Sequence, residues 1–126
     1  MPFGANKYRN KKVELDGIIF DSKKESGVYL DLKAQKAAGE IKDFKMQVPF
    51  ELVPKQTETI TVMNKRGLPV QKERVVEHPV KYVADFVVYH HDGEVTVIDV
   101  KGLRLADYRI KRKLLRAVHG IAIKEI

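Results

Sequence analysis

Residues 82–102 read YVADFVVYHHDGEVTVIDVKG. Two runs rich in β-branched and aromatic residues, Tyr82–His90 and Glu94–Lys101, flank Asp92-Gly93. Such runs favour strands, and Asp-Gly between them is a strong hairpin signal. Asp85 and Asp99 stand among apolar neighbours, where a charge is costly unless compensated. Lys101 follows Asp99 by two positions, so both side chains share one face of the strand.

Loop length decides what this hairpin can do. A two-residue turn at Asp92-Gly93 sends Asp85 and Asp99 to opposite faces of the sheet. A three-residue loop of His91, Asp92 and Gly93, with Gly93 at positive φ, sets His90 against Glu94 and Asp85 against Asp99. That loop, or a bulge of the same effect, is the expectation. Directly opposed residues have Cβ atoms ~5 Å apart. Carboxylates that close repel by roughly 4 kcal/mol at an effective dielectric near 20. A divalent cation turns that repulsion into attraction. One raised pKa, or acids splayed towards solvent, are the alternatives the hairpin leaves open.

Composition sets the outer bounds. A chain of 126 residues is expected to form one domain, spanning 1–126. It has no cysteine, which excludes disulfides and thiolate metal sites. No stretch is long and apolar enough for a membrane span, and MPFGANKYRNKK is not a signal peptide. A soluble, intracellular protein is expected. The 24 Lys and Arg against 17 Asp and Glu give a formal charge of +7, which favours polyanionic partners, nucleic acid first.

Working outward to the N-terminus, residues 1–11 form a basic arm with Lys7, Arg9 and Lys11, either a phosphate-tracking or a solubilising element. Asp16-Gly17 marks a second hairpin between Lys12–Leu15 and Ile18–Phe20. A helix is expected over residues 22–38, with Ser22 as N-cap, Glu25 in capping-box position and Gly39 beyond its end. Glu25, Val28, Tyr29 and Leu32 share one face, so Glu25 starts the inward stripe. It either caps the helix or reaches towards a site. Residues 44–53 read as a strand in which Pro49 marks a start, edge or bulge. Residues 54–79 read as a polar β-excursion around Asn64–Gly67, solvated or contacting DNA or a second subunit.

Towards the C-terminus, residues 105–119 read as a helix. Ala106, Ile110, Leu114, Ala117 and Val118 are its expected buried stripe. Arg109, Arg112, Lys113 and Arg116, with Arg104 and Lys111 nearby, are a candidate cationic face for a phosphate backbone. Residues 121–126 read as a last strand. His90 and His91 are adjacent and point apart, a poor metal pair, and neither a phosphate-cradling glycine loop nor a GxSxG elbow occurs.

This order is a helix with an inward Glu, a strand, a strand with Asp, a strand with Asp-x-Lys, a helix and a strand. It resembles the PD-(D/E)XK nuclease superfamily, which includes restriction enzymes, archaeal Holliday-junction resolvases and very-short-patch repair endonucleases. More closely, the chain resembles a family of small phage-associated proteins long known as a domain of unknown function and placed in that superfamily. The matching stretches are NKYRNKKVELDGIIFDSKKE, KYVADF, IDVKG and IKEI. Ala84 precedes Asp85 where the motif often has proline.

The resemblance implies an α/β fold with a restriction-endonuclease-like αβββαβ core. A central mixed sheet is flanked by helices, with an N-terminal hairpin and a β-excursion added. It implies a metal-dependent endodeoxyribonuclease acting on branched or junction DNA in phage recombination or replication, in the cytoplasm of a bacterial host. Asp85 and Asp99 would bind Mg²⁺ or Mn²⁺ with the Val100 carbonyl and Glu25, and Lys101 would orient the attacking water. Cutting two strands at a junction calls for a homodimer. A recombination exonuclease on the same site, and a non-catalytic DNA-binding protein on a nuclease fold, are the competing readings.

Overall fold

The computed structural model describes residues 11–100 and 105–126. Lys7, Arg9, Lys101 and Arg104, and with them most of the expected basic arm, lie outside the described residues. The first described elements are strands β1 (Val13–Leu15) and β2 (Ile18–Phe20), paired antiparallel. Asp16 and Gly17 between them have φ values of 54° and 77°. Both central positions are left-handed, as a type I′ turn requires. The Asp16 carboxylate also accepts from the Tyr29 hydroxyl at 2.7 Å and pairs with Lys33 at 2.6 Å. These partners, Lys33 foremost, hold Asp16 below the usual carboxylate range. They fasten the hairpin to helix α1 (Lys23–Ala37).

Local chemistry sets both ends of α1. The Ser22 hydroxyl accepts from the Glu25 N–H at 3.1 Å, the N-cap expected from sequence. At the other end Gly39 adopts φ 76°, and the N–H groups of Gly39 and Glu40 donate to the carbonyls of Lys36 and Gln35. That is a Schellman closure, which favours glycine at the left-handed position. The inward stripe holds Glu25, Ser26, Tyr29 and Leu32.

Among the described residues, the central sheet has four strands in the order β3 (Asp43–Val53), β6 (Val80–Tyr89), β7 (Val95–Asp99), β8 (Ile123–Glu125). The first three are antiparallel neighbours, and β8 lies parallel to β7 after helix α2 (Ala106–His119). The sheet is therefore mixed, and its outer strand β3 tolerates Pro49. Among the described residues, strands β4 (Gln56–Met63) and β5 (Pro69–Glu77) pair only with each other, as the hairpin expected over residues 54–79.

The sheet is covered on both faces. Phe86, Val88, Ile98 and Val100 pack with Phe20, Tyr29, Leu32 and Ile41 on the α1 side. Ala84, Val87 and Val97 pack with Leu52, Tyr82, Tyr108 and Leu115 on the α2 side. At roughly 1.5–3 kcal/mol per fully buried large apolar side chain, these two layers supply the main driving force for folding. No described helix is long and apolar enough to cross a membrane.

One expectation is corrected. The stripe Ala106, Ile110, Leu114, Ala117 and Val118 does not face the core of α2. Ile110 is 59% and Val118 54% exposed, and the buried positions are Tyr108 and Leu115. Of the expected five, only Leu114 packs against the α2-side core. The spacing of seven between Tyr108 and Leu115 puts both on one face and sets the helix's rotation. Lys111 and Arg112, three and four positions after Tyr108 on that side, are half-buried.

Candidate active site

The β6–β7 connection is the three-residue loop expected. Tyr89 pairs with Val95, the His90 N–H donates to the Glu94 carbonyl at 2.9 Å, and Gly93 has φ 88°. The ladder runs inward as Val88↔Thr96, Val87↔Val97 and Phe86↔Ile98. One further step sets Asp85 opposite Asp99. There the strands part, and the Val100 N–H donates to the Asp85 carboxylate at 2.7 Å. Both acids are buried, Asp99 with 0% of its surface exposed.

The sheet changes face at this point. On β3, Phe44 and Met46 pack on the α1 side, but Val48, Phe50 and Leu52 pack on the α2 side. Regular alternation keeps residues of one parity on one face. The exchange falls at Gln47, whose φ is 54° in mid-strand. On β6, Tyr82 and Ala84 pack on the α2 side, and Phe86 and Val88 on the α1 side. The residue between is Asp85. Pairing of Met46 with Phe86 and of Val48 with Ala84 sets Gln47 opposite Asp85. A left-handed non-glycine residue costs roughly 1–2 kcal/mol, and such strain collects at functional sites.

Asp99 has a partner that sequence reasoning missed. The Tyr82 hydroxyl donates to its carboxylate at 2.7 Å. Burial, and then this bond, push the Tyr82 phenol well above its usual value. It therefore stays a neutral donor. Asp99 lines a cleft of about 260 Å³ with Lys81, Tyr82, Asp107, Tyr108 and Lys111 among its walls. Lys81 too was missed. Its only sequence signal is its place one residue before Tyr82 in KYVADF, where it reads as a solvated strand residue.

Glu25 is buried on the inward face of α1, whose Tyr29 and Leu32 pack on the sheet face of Phe86, Ile98 and Val100. Among the described residues, no three His, Asp or Glu side chains converge closely enough to hold a metal ion. The donors at the strand ends are all oxygen, which suits hard cations. Mg²⁺ commonly takes one or two carboxylates and keeps several waters, so the Asp85–Asp99 pair fits that demand.

A family model described as "Protein of unknown function (DUF1064)" matches residues 5–122. The chain belongs to the DUF1064 family. No curated protein and no solved structure matched. The matched span of this DUF1064 chain includes positions 25, 85, 99 and 101.

The expected cationic face of this DUF1064 chain divides in three. Arg109, Lys113 and Arg116 are exposed along one side of α2. Arg112 pairs with Glu125 of β8 at 3.3 Å, and Lys111 turns into the Asp99 cleft. Lys11 is exposed at the first described position. Three of the four histidines serve the scaffold: His90 bonds Thr96, His91 bonds the Gly39 carbonyl, and His119 bonds the Glu51 carbonyl.

Proposed function

We propose that this DUF1064 protein is a metal-dependent endodeoxyribonuclease with a PD-(D/E)XK-type core, acting on branched or junction DNA. The observation carrying this reading is the buried pair Asp85 and Asp99 on facing positions of neighbouring strands, at the point where the sheet changes face. The order α1, β3, β6, β7, α2, β8 supports it, being the αβββαβ order of that superfamily.

Asp85 and Asp99 would hold Mg²⁺ or Mn²⁺, with the Val100 carbonyl and Glu25 assigned by resemblance. Such an ion would supply Lewis acidity towards the phosphodiester and a more acidic water. Tyr82 fixes the orientation of the Asp99 carboxylate. Lys81 and Lys111, in the same cleft, offset the charge of the incoming phosphodiester. Lys101, by resemblance, orients the water. Water adds at phosphorus, the 3′-oxygen leaves and takes a proton, and the products carry a 5′-phosphate and a 3′-hydroxyl. A homodimer would set two such sites on the two strands of a junction.

The formal charge of +7 fits a second reading as well, a non-catalytic DNA-binding protein on this fold. Four-way junction, flap, linear duplex and single-stranded DNA, each with and without Mg²⁺ or Mn²⁺, separate the two. The nuclease reading expects metal-dependent cleavage leaving 5′-phosphates. It also expects Asp99→Ala to cut roughly a hundredfold or more slowly while binding DNA in chelator as wild type does. Wild-type protein that binds but never cleaves, with either metal, overturns it in favour of the second.

A further inference from the structure

The β4–β5 hairpin stands apart from both cores. Among the described residues, no side chain from 54 to 79 joins the packed layers on either face of the sheet. Its own pairing divides it into two faces, since cross-strand partners share a face. Thr57, Thr59 and Thr61 face Val75, Glu73 and Gln71 on one side. Glu58, Ile60 and Val62 face Arg74, Lys72 and Val70 on the other.

Charge is distributed unevenly along it. Nearer the root, Glu58 and Glu73 are satisfied internally. Glu58 pairs with Arg74, and Glu73 accepts from the Thr59 hydroxyl at 2.5 Å. From Thr59 to Lys72 the sequence carries Lys65, Arg66 and Lys72 and no Asp or Glu. None of these three cations forms an ion pair among the described residues. Lys65 and Arg66 sit on a turn organised by one side chain. The Asn64 carboxamide oxygen accepts from the N–H groups of Arg66 and Leu68, both at 2.9 Å, and Gly67 takes φ 76°. Beside the turn, Met63 is 65% and Leu68 56% exposed.

The arm is rooted close to the acids. β5 passes into β6 through His78 and Pro79, and Asp85 lies on that strand ~17 Å from Val80 at ~3.3 Å per residue. At the same rise, the arm's strands reach ~25–30 Å from their root. A two-stranded ribbon fits a DNA major groove ~12 Å wide. Unpaired cations hold backbone phosphates, and exposed apolar side chains meet thymine methyl groups in such a groove.

We propose that the β4–β5 arm is a DNA-contacting ribbon. Lys65, Arg66 and Lys72 engage backbone phosphates on either side of a groove, and Met63 and Leu68 rest against the sugars and bases within it. The proposal rests on the reading of this chain as a DNA-acting protein, but not on catalysis. Charge complementarity favours DNA over a second copy of the chain. The distal half of the arm is purely cationic, and two such arms repel each other.

Binding is measured in chelator, where no cleavage occurs, by fluorescence anisotropy of labelled duplex and four-way junction across a salt series. The triple variant Lys65→Glu/Arg66→Glu/Lys72→Glu is compared with wild type, with its melting curve checked. The proposal expects binding at least tenfold weaker and a slope of log K against log salt shallower by about 3, for three lost phosphate contacts. Met63→Ala/Leu68→Ala weakens binding with the slope unchanged. Lys65→Arg/Lys72→Arg binds as wild type. Unchanged affinity and slope in the triple variant overturn the proposal, as does a wild-type protein that binds neither DNA. A triple variant of lower sedimenting mass also overturns it, and assigns the arm to a contact between copies. Binding that depends on the arm in a protein that never cleaves leaves the arm standing and removes the nuclease. Cleavage with arm-independent binding does the reverse.

Discussion

Asp99 has no exposed surface, and the Tyr82 hydroxyl donates to its carboxylate. Replacing Tyr82 by Phe keeps the ring that packs near Phe50 and Tyr108, at centroid distances of 6.5 and 6.4 Å, and removes only the donor. Leaving a buried acceptor short of a bond costs about 1–3 kcal/mol, so Tyr82→Phe is expected to lose that much stability in urea unfolding at neutral pH. The alkaline limb distinguishes this bond from lost packing. The folded pKa of Tyr82 is raised, so its stabilisation is full below the unfolded value of about 10. It fades as pH climbs from there towards the folded value. The gap between wild type and Tyr82→Phe is therefore constant up to about pH 10 and narrows beyond it. A gap independent of pH would mean the hydroxyl contributes nothing specific. The facing of Asp85 and Asp99 was legible in sequence because a three-residue loop with Gly93 in the left-handed region, or a bulge of the same effect, gives that register. The left-handed Gln47 opposite Asp85 was not, since glutamine carries no preference for that conformation.

Helix α2 shows where periodicity misled and why. Its sequence holds two stripes, one of Ala106, Ile110, Leu114, Ala117 and Val118, the other of Tyr108 and Leu115 with Lys111 and Arg112 between them. Counting apolar residues selects the first. The fold buries the second, because Tyr108 meets Tyr82 and Leu115 joins Val87 and Val97 in the α2-side core. Mutational cost should follow burial. Leu115→Ala, which opens a cavity at a position with 0% exposure, is expected to cost about 2–5 kcal/mol. Val118→Ala, at 54% exposure, should stay within about 0.5 kcal/mol. Paired urea unfolding curves check both. Equal costs would mean that something covers the outer stripe in solution. The element ends were easier to read, because Ser22, Gly39, Asp16-Gly17 and Gly120 are local signals that tertiary packing does not override.

Among the described residues, the molecule divides energetically into a packed α/β/α body and an arm that shares none of its packing. Composition and motif order carried the body. For residues 54–79 the sequence showed a hairpin, and it could not show that the hairpin stands off the sheet, since alternating Thr and Val also describe a strand inside one. An unsupported two-stranded hairpin is marginal in water, so the arm should open without the body. Native-state hydrogen exchange on the whole chain is expected to show this. Amides of β4 and β5 exchange through local opening at a free energy well below that of β6, β7 and α2, and their rates do not respond to low urea. Leu115→Ala then speeds exchange in the body and leaves the arm amides unchanged. Duplex DNA in chelator slows the arm amides selectively if the ribbon is its contact. Arm amides as slow as those of β6 in the free protein would show that the hairpin is already covered, and would require a partner already in place on it.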